Sequence, residues 1–282
     1  MFMKRIAYGF GKLLRALFLI LKAVFCLYPV YWMISLSFKT AREAAKDAYA
    51  LPVSIFEVGF SNYAYVLEIM DYGMGMMNSV IYSTVITLVT VFFSTTAAYA
   101  MTRMHFKYAD LIYKYFLVGL SVPGMCLMVP VFMIIKFMGL FETRWAIIVL
   151  GIAAAAAGSL LMVAFMRSIP KELEEAAAID GCNCHRAFFS IMFPIFKPAV
   201  ATRAMLEFLR MWNEFGYSSI LCIQAHLRPL VMESQTFFSS IYAVHWEHIG
   251  ASVVLSAGPA ILVYCIANKG IENAMTAGAI LK

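Results

Sequence analysis

Charge is scarce in this chain. Only 13% of its 282 residues are Asp, Glu, Lys or Arg, while 63% are hydrophobic and the mean hydropathy is +0.81. A soluble domain carries about a quarter charged residues, so a soluble globule is excluded. Four stretches, 72–102, 115–135, 145–166 and 249–268, contain no ionisable Asp, Glu, Lys or Arg. About 20 apolar residues cross a hydrocarbon core of about 30 Å as a helix, which points to an all-α integral membrane protein. The runs are continuous rather than alternating, and that excludes a β-barrel. Residues 23–38 form a shorter run, which Arg15 and Lys22 can lengthen by snorkelling.

Further absences narrow the chemistry. There is no G-x-x-x-x-G-K-[ST] phosphate loop, no H-E-x-x-H and no G-x-S-x-G. The chain is therefore expected to be non-catalytic, without a nucleotide or metal of its own. No nucleic-acid motif accompanies the net charge of +6. The six cysteines, Cys26, Cys126, Cys182, Cys184, Cys222 and Cys265, fall mostly in apolar runs and make no disulfide framework. Cys182-Asn-Cys184-His185 lacks neighbours to complete a set of about four ligands. His245 and His248, three apart, are expected at an interface rather than on a metal. The first apolar stretch reads as a retained anchor, not a cleaved signal. With no internal repeat or soluble insert, residues 1–282 are expected to form a single domain.

What is present is a pattern of six helices, at about 14–37, 75–101, 112–137, 145–166, 199–223 and 248–267. Lys4, Arg5, Lys12, Arg15 and Lys22 lie at the first helix, and Arg103, Lys107 and Lys114 at the second connection. Arg167, Lys171, Arg186, Lys197 and Arg203 lie at the fourth, and Lys269 and Lys282 in the tail; the opposite side has Lys39, Arg42, Lys46, Arg144 and Arg228. The positive-inside rule then puts both termini in the cytoplasm. Trp145, Trp246, Tyr63, Tyr65 and Tyr242 are expected as an outer aromatic belt. Gly151 and the small residues 153–159 suit close helix packing, and Gly258-Pro259 predicts a kink in the last helix.

Between the fourth and fifth helices, residues 167–198 form a mixed-charge island. Pro170 can open a short helix, Glu172, Glu174 and Glu175 suit the positive end of its dipole, and Ala176, Ala177 and Ala178 favour it. Asp180-Gly181 should end it through a left-handed residue. Phe188, Phe189, Ile191 and Phe193 form an apolar set to lie against the spans, and Pro194 and Pro198 should redirect the chain. Such a polar helix, held at a membrane surface, is a place for a soluble partner to dock.

Glu175-Ala176-Ala177, three residues, Gly181, nine residues, Ile191, one residue, Phe193-Pro194 resembles the signature loop of permease subunits of binding-protein-dependent ABC importers. Phe193 departs from the usual Leu but keeps the site apolar. Ser37-Phe38-Lys39, Phe60-Ser61-Asn62-Tyr63, Asn78-Ser79, Ala97-Ala98-Tyr99-Ala100, Gly139-Leu140, Thr143-Arg144-Trp145, Trp212-Asn213-Glu214-Phe215 and Thr276-Ala277-Gly278-Ala279 extend the likeness to the carbohydrate-uptake branch, the second membrane subunit of maltose-type importers. The resemblance implies a type I importer permease fold with a core over about 72–268. It implies a heterodimer with a related permease, two cytoplasmic ATPase subunits that carry ATP and Mg, and an external solute-binding protein. Glu175, Ala176, Ala177, Asp180, Gly181, Ile191 and Pro194 would then couple to the ATPase. The loop 223–246 would reach the binding protein.

One helix concentrates charge. Arg203, Glu207, Arg210 and Glu214 are spaced four, three and four apart, which places them on one helical face with Tyr217 continuing it. Ionisable groups in a span face a bundle interior or an aqueous cavity, paired. Two roles remain open for this stripe: Arg210, Asn213, Glu214 and Tyr217 line a solute path, or the charges form a neutralised seam against a partner subunit. A stand-alone secondary transporter would distribute such groups over several helices.

Overall fold

In a computed structural model the chain is described over residues 2–104, 107–238 and 244–280, with side chains described from 11 to 268 within those limits. Among the described residues it is helical throughout, without strands. In chain order the helices are α1 (Phe2–Ser37), α2 (Ala41–Lys46), α3 (Ile55–Val58), α4 (Ser61–Ile69), α5 (Tyr72–Arg103) and α6 (Ala109–Leu120). Then come α7 (Met128–Phe137), α8 (Arg144–Ala153), α9 (Ala155–Arg167), α10 (Glu172–Ile179) and α11 (Cys184–Ala187). The last are α12 (Phe193–Trp212), α13 (Gly216–Leu221), α14 (Leu230–Ser234) and α15 (Trp246–Ile280). Tyr242 and Lys282 lie outside the described residues, as do the side chains of Lys4, Arg5, Lys269 and residues 276–279.

Among the described residues four stretches have the length and apolarity to cross a membrane: Gly11–Ser37, Tyr72–Arg103, Arg144–Arg167 and Trp246–Asn268. A fifth forms if α6 and the segment Gly124–Phe137 count as one broken span. Here the expected continuous helix over 112–137 is corrected: its halves meet at 92°. The cause is Pro123, which lacks an N–H to continue α6 and holds an extended conformation before a short 3-10 turn at Gly124–Leu127. The helix expected over 199–223 is also corrected. It runs from Phe193 straight through Pro198 and stops at Trp212, so Pro198 does not redirect it. At the stop, the Asn213 side-chain amide donates to the Leu209 carbonyl (2.8 Å), a local bond that competes with helix continuation. α15, by contrast, is helical through Gly258-Pro259.

Residues 1–70 with 234–257 form one compact unit, and 71–233 with 258–282 a second. In the first, the motifs at 37–39 and 60–63 fold onto each other. The Asn62 amide donates to the Ser37 and Lys39 carbonyls (2.9 Å each), the Ser37 and Tyr63 hydroxyls are 2.7 Å apart, and Phe38 meets Phe60 and Tyr63. Tyr63 is thus turned inward, while Tyr65 and Trp145 are exposed as belt residues would be. Lys39 is buried, its ammonium donating to the Asp47 and Ala48 carbonyls (2.9 and 3.0 Å). Thr40 and Glu43 form a reciprocal capping box on α2. Gly250 is required where α15 crosses α1, because a Cβ there would sit 2.8 Å from the Met33 carbonyl oxygen.

In the second unit α5 is the central helix, packed by α8, α9 and α12. One apolar cluster gathers Tyr82, Ile86, Ile147, Met211 and Leu221, and another gathers Tyr99, Met162, Met166, Phe188 and Phe196. The small-residue surface packs closely, as expected. At Gly151 a Cβ would meet the Ile86 side chain at 2.5 Å, and at Gly158 the Arg203 guanidinium at 2.3 Å.

Candidate functional site

The 167–198 connection is built from local signals. Three glutamates occupy the first turn of α10, the favourable end of the helix dipole. Its far end closes as a Schellman motif: Cys182 N–H donates to the Ala177 carbonyl (2.9 Å), Gly181 N–H to that of Ala178 (3.1 Å), and Gly181 takes φ +80°. Asn183 then caps α11, accepting from the Arg186 amide (2.8 Å). A π turn over Phe188–Met192 leads into α12, with Pro194 in its first turn.

Of the residues singled out for docking, Glu175, Ala176, Asp180 and Pro194 are exposed, as are Leu173 and Ile179, which is 87% exposed. Ala177 is buried and Ile191 half-buried. The free face therefore combines acidic and small residues with an unpaired isoleucine. Phe188 lies inward, edge-on to Tyr99 at 4.8 Å and against Phe196, whereas Phe189 of the expected apolar set is exposed.

The island is fastened by residues the sequence did not single out for a role. Arg103, the last residue of α5, donates through Nη2 to the carbonyls of Met166 (2.8 Å) and Ile169 (2.6 Å). Its Nε lies 3.3 Å from the Glu174 carboxylate, both side chains being largely buried. One turn earlier, the Tyr99 hydroxyl lies 3.9 Å from Cys184 Sγ.

A second fastening lies near the start of α5. Asn78 donates to the carbonyls of His226 (2.9 Å) and Arg228 (3.0 Å), and Tyr82 to that of Leu227 (2.9 Å). Ser79 Oγ accepts from the Leu230 amide (2.8 Å), and Arg144 Nε donates to Asn78 Oδ1 (3.0 Å). Gly75 permits this contact, since a Cβ would approach Leu230 Cα to 3.3 Å. Burial raises the Glu233 carboxyl above its ordinary value, opposed by Arg228.

The charged stripe of α12 holds together over three of its four members. Glu207 is buried between two arginines: Arg203 Nη1 donates to its Oε2 (2.7 Å), and Arg210 Nε does so at 3.1 Å while its Nη2 pairs with Oε1. Arg203 is buried against Gly158, its Nε without a hydrogen-bond partner, and Arg210 is 44% exposed. Glu214 and Tyr217 do not continue the stripe, because α12 ends before them. The Glu214 carboxylate instead accepts from the Tyr217 amide (2.7 Å) at the start of α13, and the Tyr217 hydroxyl donates to the Gly124 carbonyl (2.9 Å). Asn213 is exposed and bonded back to Leu209. His245 and His248 flank the buried Glu247, at 3.1 and 4.0 Å, and His248 stacks on Tyr65.

The family of binding-protein-dependent transport system inner membrane components matches residues 91–275. This chain belongs to that family. As a member it is a non-catalytic inner-membrane subunit, the permease of an ABC importer, and the family in general works with a partner permease, an ATPase and a binding protein. Among similar proteins, the probable ABC transporter permease YurM of Bacillus subtilis is 30% identical over 272 residues, covering 93% of this chain and 86% of its own. The diacetylchitobiose uptake system permease NgcG of Streptomyces coelicolor is 31% identical over 262 residues, covering 92% and 86%. In fold, the permease resembles a chain from the crystal structure of a bacterial ABC transporter that imports the acidic polysaccharide alginate. The TM-score is 0.78 at 24% identity, over 91% of this chain and 95% of that one.

Proposed function

We propose that this permease forms half of the translocation path for a sugar or oligosaccharide and is driven through the 167–198 connection by a partner ATPase. The observation that carries the reading is α10: a short helix closed by Gly181, with Glu175, Ala176 and Asp180 presented on its free face. The uptake of diacetylchitobiose by a relative supports a sugar as solute. A different small solute, such as a glycerol phosphate, an amino acid or a peptide, is the alternative.

On this reading the chain is one permease domain with six spans, both termini and α10 in the cytoplasm. α12 and α13 supply the fifth span although their charge keeps them below the apolarity of the others. The chain binds no cofactor, and ATP and Mg reside on two ATPase subunits. A second, related permease completes the membrane part, and an external solute-binding protein delivers to the side of residues 223–246. Arg210, Asn213, Glu214 and Tyr217 are the candidates for the path. Closure of the ATPase pair moves α10 and rocks the spans between inward-open and outward-open states, the alternating-access scheme.

The test is assembly and transport in proteoliposomes. Glu175→Lys should lose co-purification with the ATPase subunits and solute uptake while the permease pair stays folded. Retention of both by that variant would sink the coupling role of α10. Sugar uptake by the wild-type complex, competed by unlabelled sugars but not by amino acids or peptides, decides the solute class.

A further inference from the structure

We infer that Arg103 is the strut through which displacement of α10 reaches the central helix α5. It is a positioning residue rather than a docking one, and the inference rests on the coupling role proposed for α10.

A short helix at the surface can be pushed without consequence unless something stiff joins it to a span. Chain connectivity alone offers a poor lever here. Between α9 and α10 lie residues 168–171, and between α10 and α11 the Gly181 turn. Both connections can bend. Arg103 crosses the first of them: it terminates α5, yet one guanidinium reaches the last turn of α9 through the Met166 carbonyl, the 168–171 connection through that of Ile169 and the first turn of α10 through Glu174. The planar fork donates through Nη2 to the two carbonyls and turns Nε toward the carboxylate as an ionic contact, an arrangement that a lysine ammonium on a flexible stem does not reproduce.

The surroundings strengthen the link. The Arg103 side chain is 5% exposed and that of Glu174 16% exposed, so water competes weakly for the pair and its partners screen little. Glu174 Oε1 and Arg103 Nε are both buried without a hydrogen-bond partner, so the contact is held by charge, and among the described residues Arg103 is the ionic partner of this carboxylate. One turn back along α5, Tyr99 packs on Phe188 and reaches Cys184, so the same helix end also grips the segment beyond α10. Thr102 adds a contact to Met166 Sδ at 3.7 Å. α5 thus holds the chain on both sides of α10, and the charged contact falls on the docking helix itself.

The experiment uses the complete complex, with partner permease, ATPase subunits and binding protein, in proteoliposomes. It compares solute carried per ATP hydrolysed for wild type, Arg103→Met, Glu174→Gln and Arg103→Lys. The strut predicts that the first two variants still assemble and hydrolyse ATP in response to loaded binding protein, yet carry about tenfold less solute per ATP, the change expected from about 1.4 kcal/mol of lost coupling. Arg103→Lys should recover part of the ratio. An unchanged ratio in whichever variant assembles overturns the inference, as does failure of all three to assemble, since Arg103 would then be a folding element. Failure of the coupling role is distinguishable, because it shows as retained ATPase binding by Glu175→Lys whatever the Arg103 variants do.

Discussion

The two fastenings on α5 use different chemistry. Asn78 and Arg103 are 25 positions apart, about 37 Å along the helix at 1.5 Å per residue. Near its start, neutral side chains capture the carbonyls of residues 226–228 and an amide at 230. Near its end, one guanidinium joins two carbonyls and a buried carboxylate. Neutral bonds to backbone fix the shape of a connection and are indifferent to pH. An ion pair between side chains ties one mobile element to another and can carry load. The first suits a loop that must present a surface, the second a helix that must be moved.

Three changes would break or sharpen that contrast. The largest effect is expected between the two ends, at Gly158→Ala. A Cβ there would lie 2.3 Å from the Arg203 guanidinium, driving it from Glu207 and leaving the buried Arg203 charge without its carboxylate while Arg210 still pairs with Glu207, at a cost of about 3–5 kcal/mol. Thermal unfolding in detergent should fall sharply, and loss of both fastenings together would show that the middle of the second unit supports them. Asn78→Ala comes next. It forfeits two bonds to carbonyls and orphans Arg144 Nε, costing about 1–3 kcal/mol. Proteolysis should quicken within 223–230 while ATPase co-purification is unchanged; loss of that co-purification would contradict the separation of roles.

The smallest effect is a pH control in the other unit. Glu43 is held below its ordinary value chiefly by the Thr40 amide, helped by the amides of residues 53 and 54. Its folded value is depressed, so the stability it lends is present above the unfolded value and is lost as pH falls through the folded one. Cleavage of the 40–54 loop should rise only below about pH 4, and Glu43→Gln should abolish that pH dependence.

What the sequence disclosed depends on range. The acidic first turn of α10 and its stop at Gly181 are written locally and read correctly, whereas the helix starts at Glu172 after a Lys171 N-cap rather than at the Pro170 expected to open it. The Arg203–Glu207–Arg210 set was legible from its spacing, because neighbours on a helix meet at i+3 and i+4. Glu214 and Tyr217 were misjudged because periodicity extrapolates past a helix end, and the Asn213 side chain that ends it acts through one local bond. Hydropathy likewise passed over Pro123, since it counts apolar atoms and not missing N–H groups. The partners of Arg103 and Arg144 lie 63 to 71 positions away, and nothing local marks such pairs. Their charges were counted for orientation while their contacts stayed hidden.

The corner at Pro123 has a bearing on how this stretch meets lipid. α6 has 12 residues, and the other arm has a 3-10 turn of 4 followed by the 10 of α7, so the arms run about 18 and 23 Å and neither traverses a 30 Å hydrocarbon layer unaided. A rod adapts to bilayer thickness by leaning, whereas a bracket adapts by opening or closing its angle. The Tyr217 hydroxyl, bonded to the Gly124 carbonyl at the first residue of the second arm, sits where such flexing would be felt first.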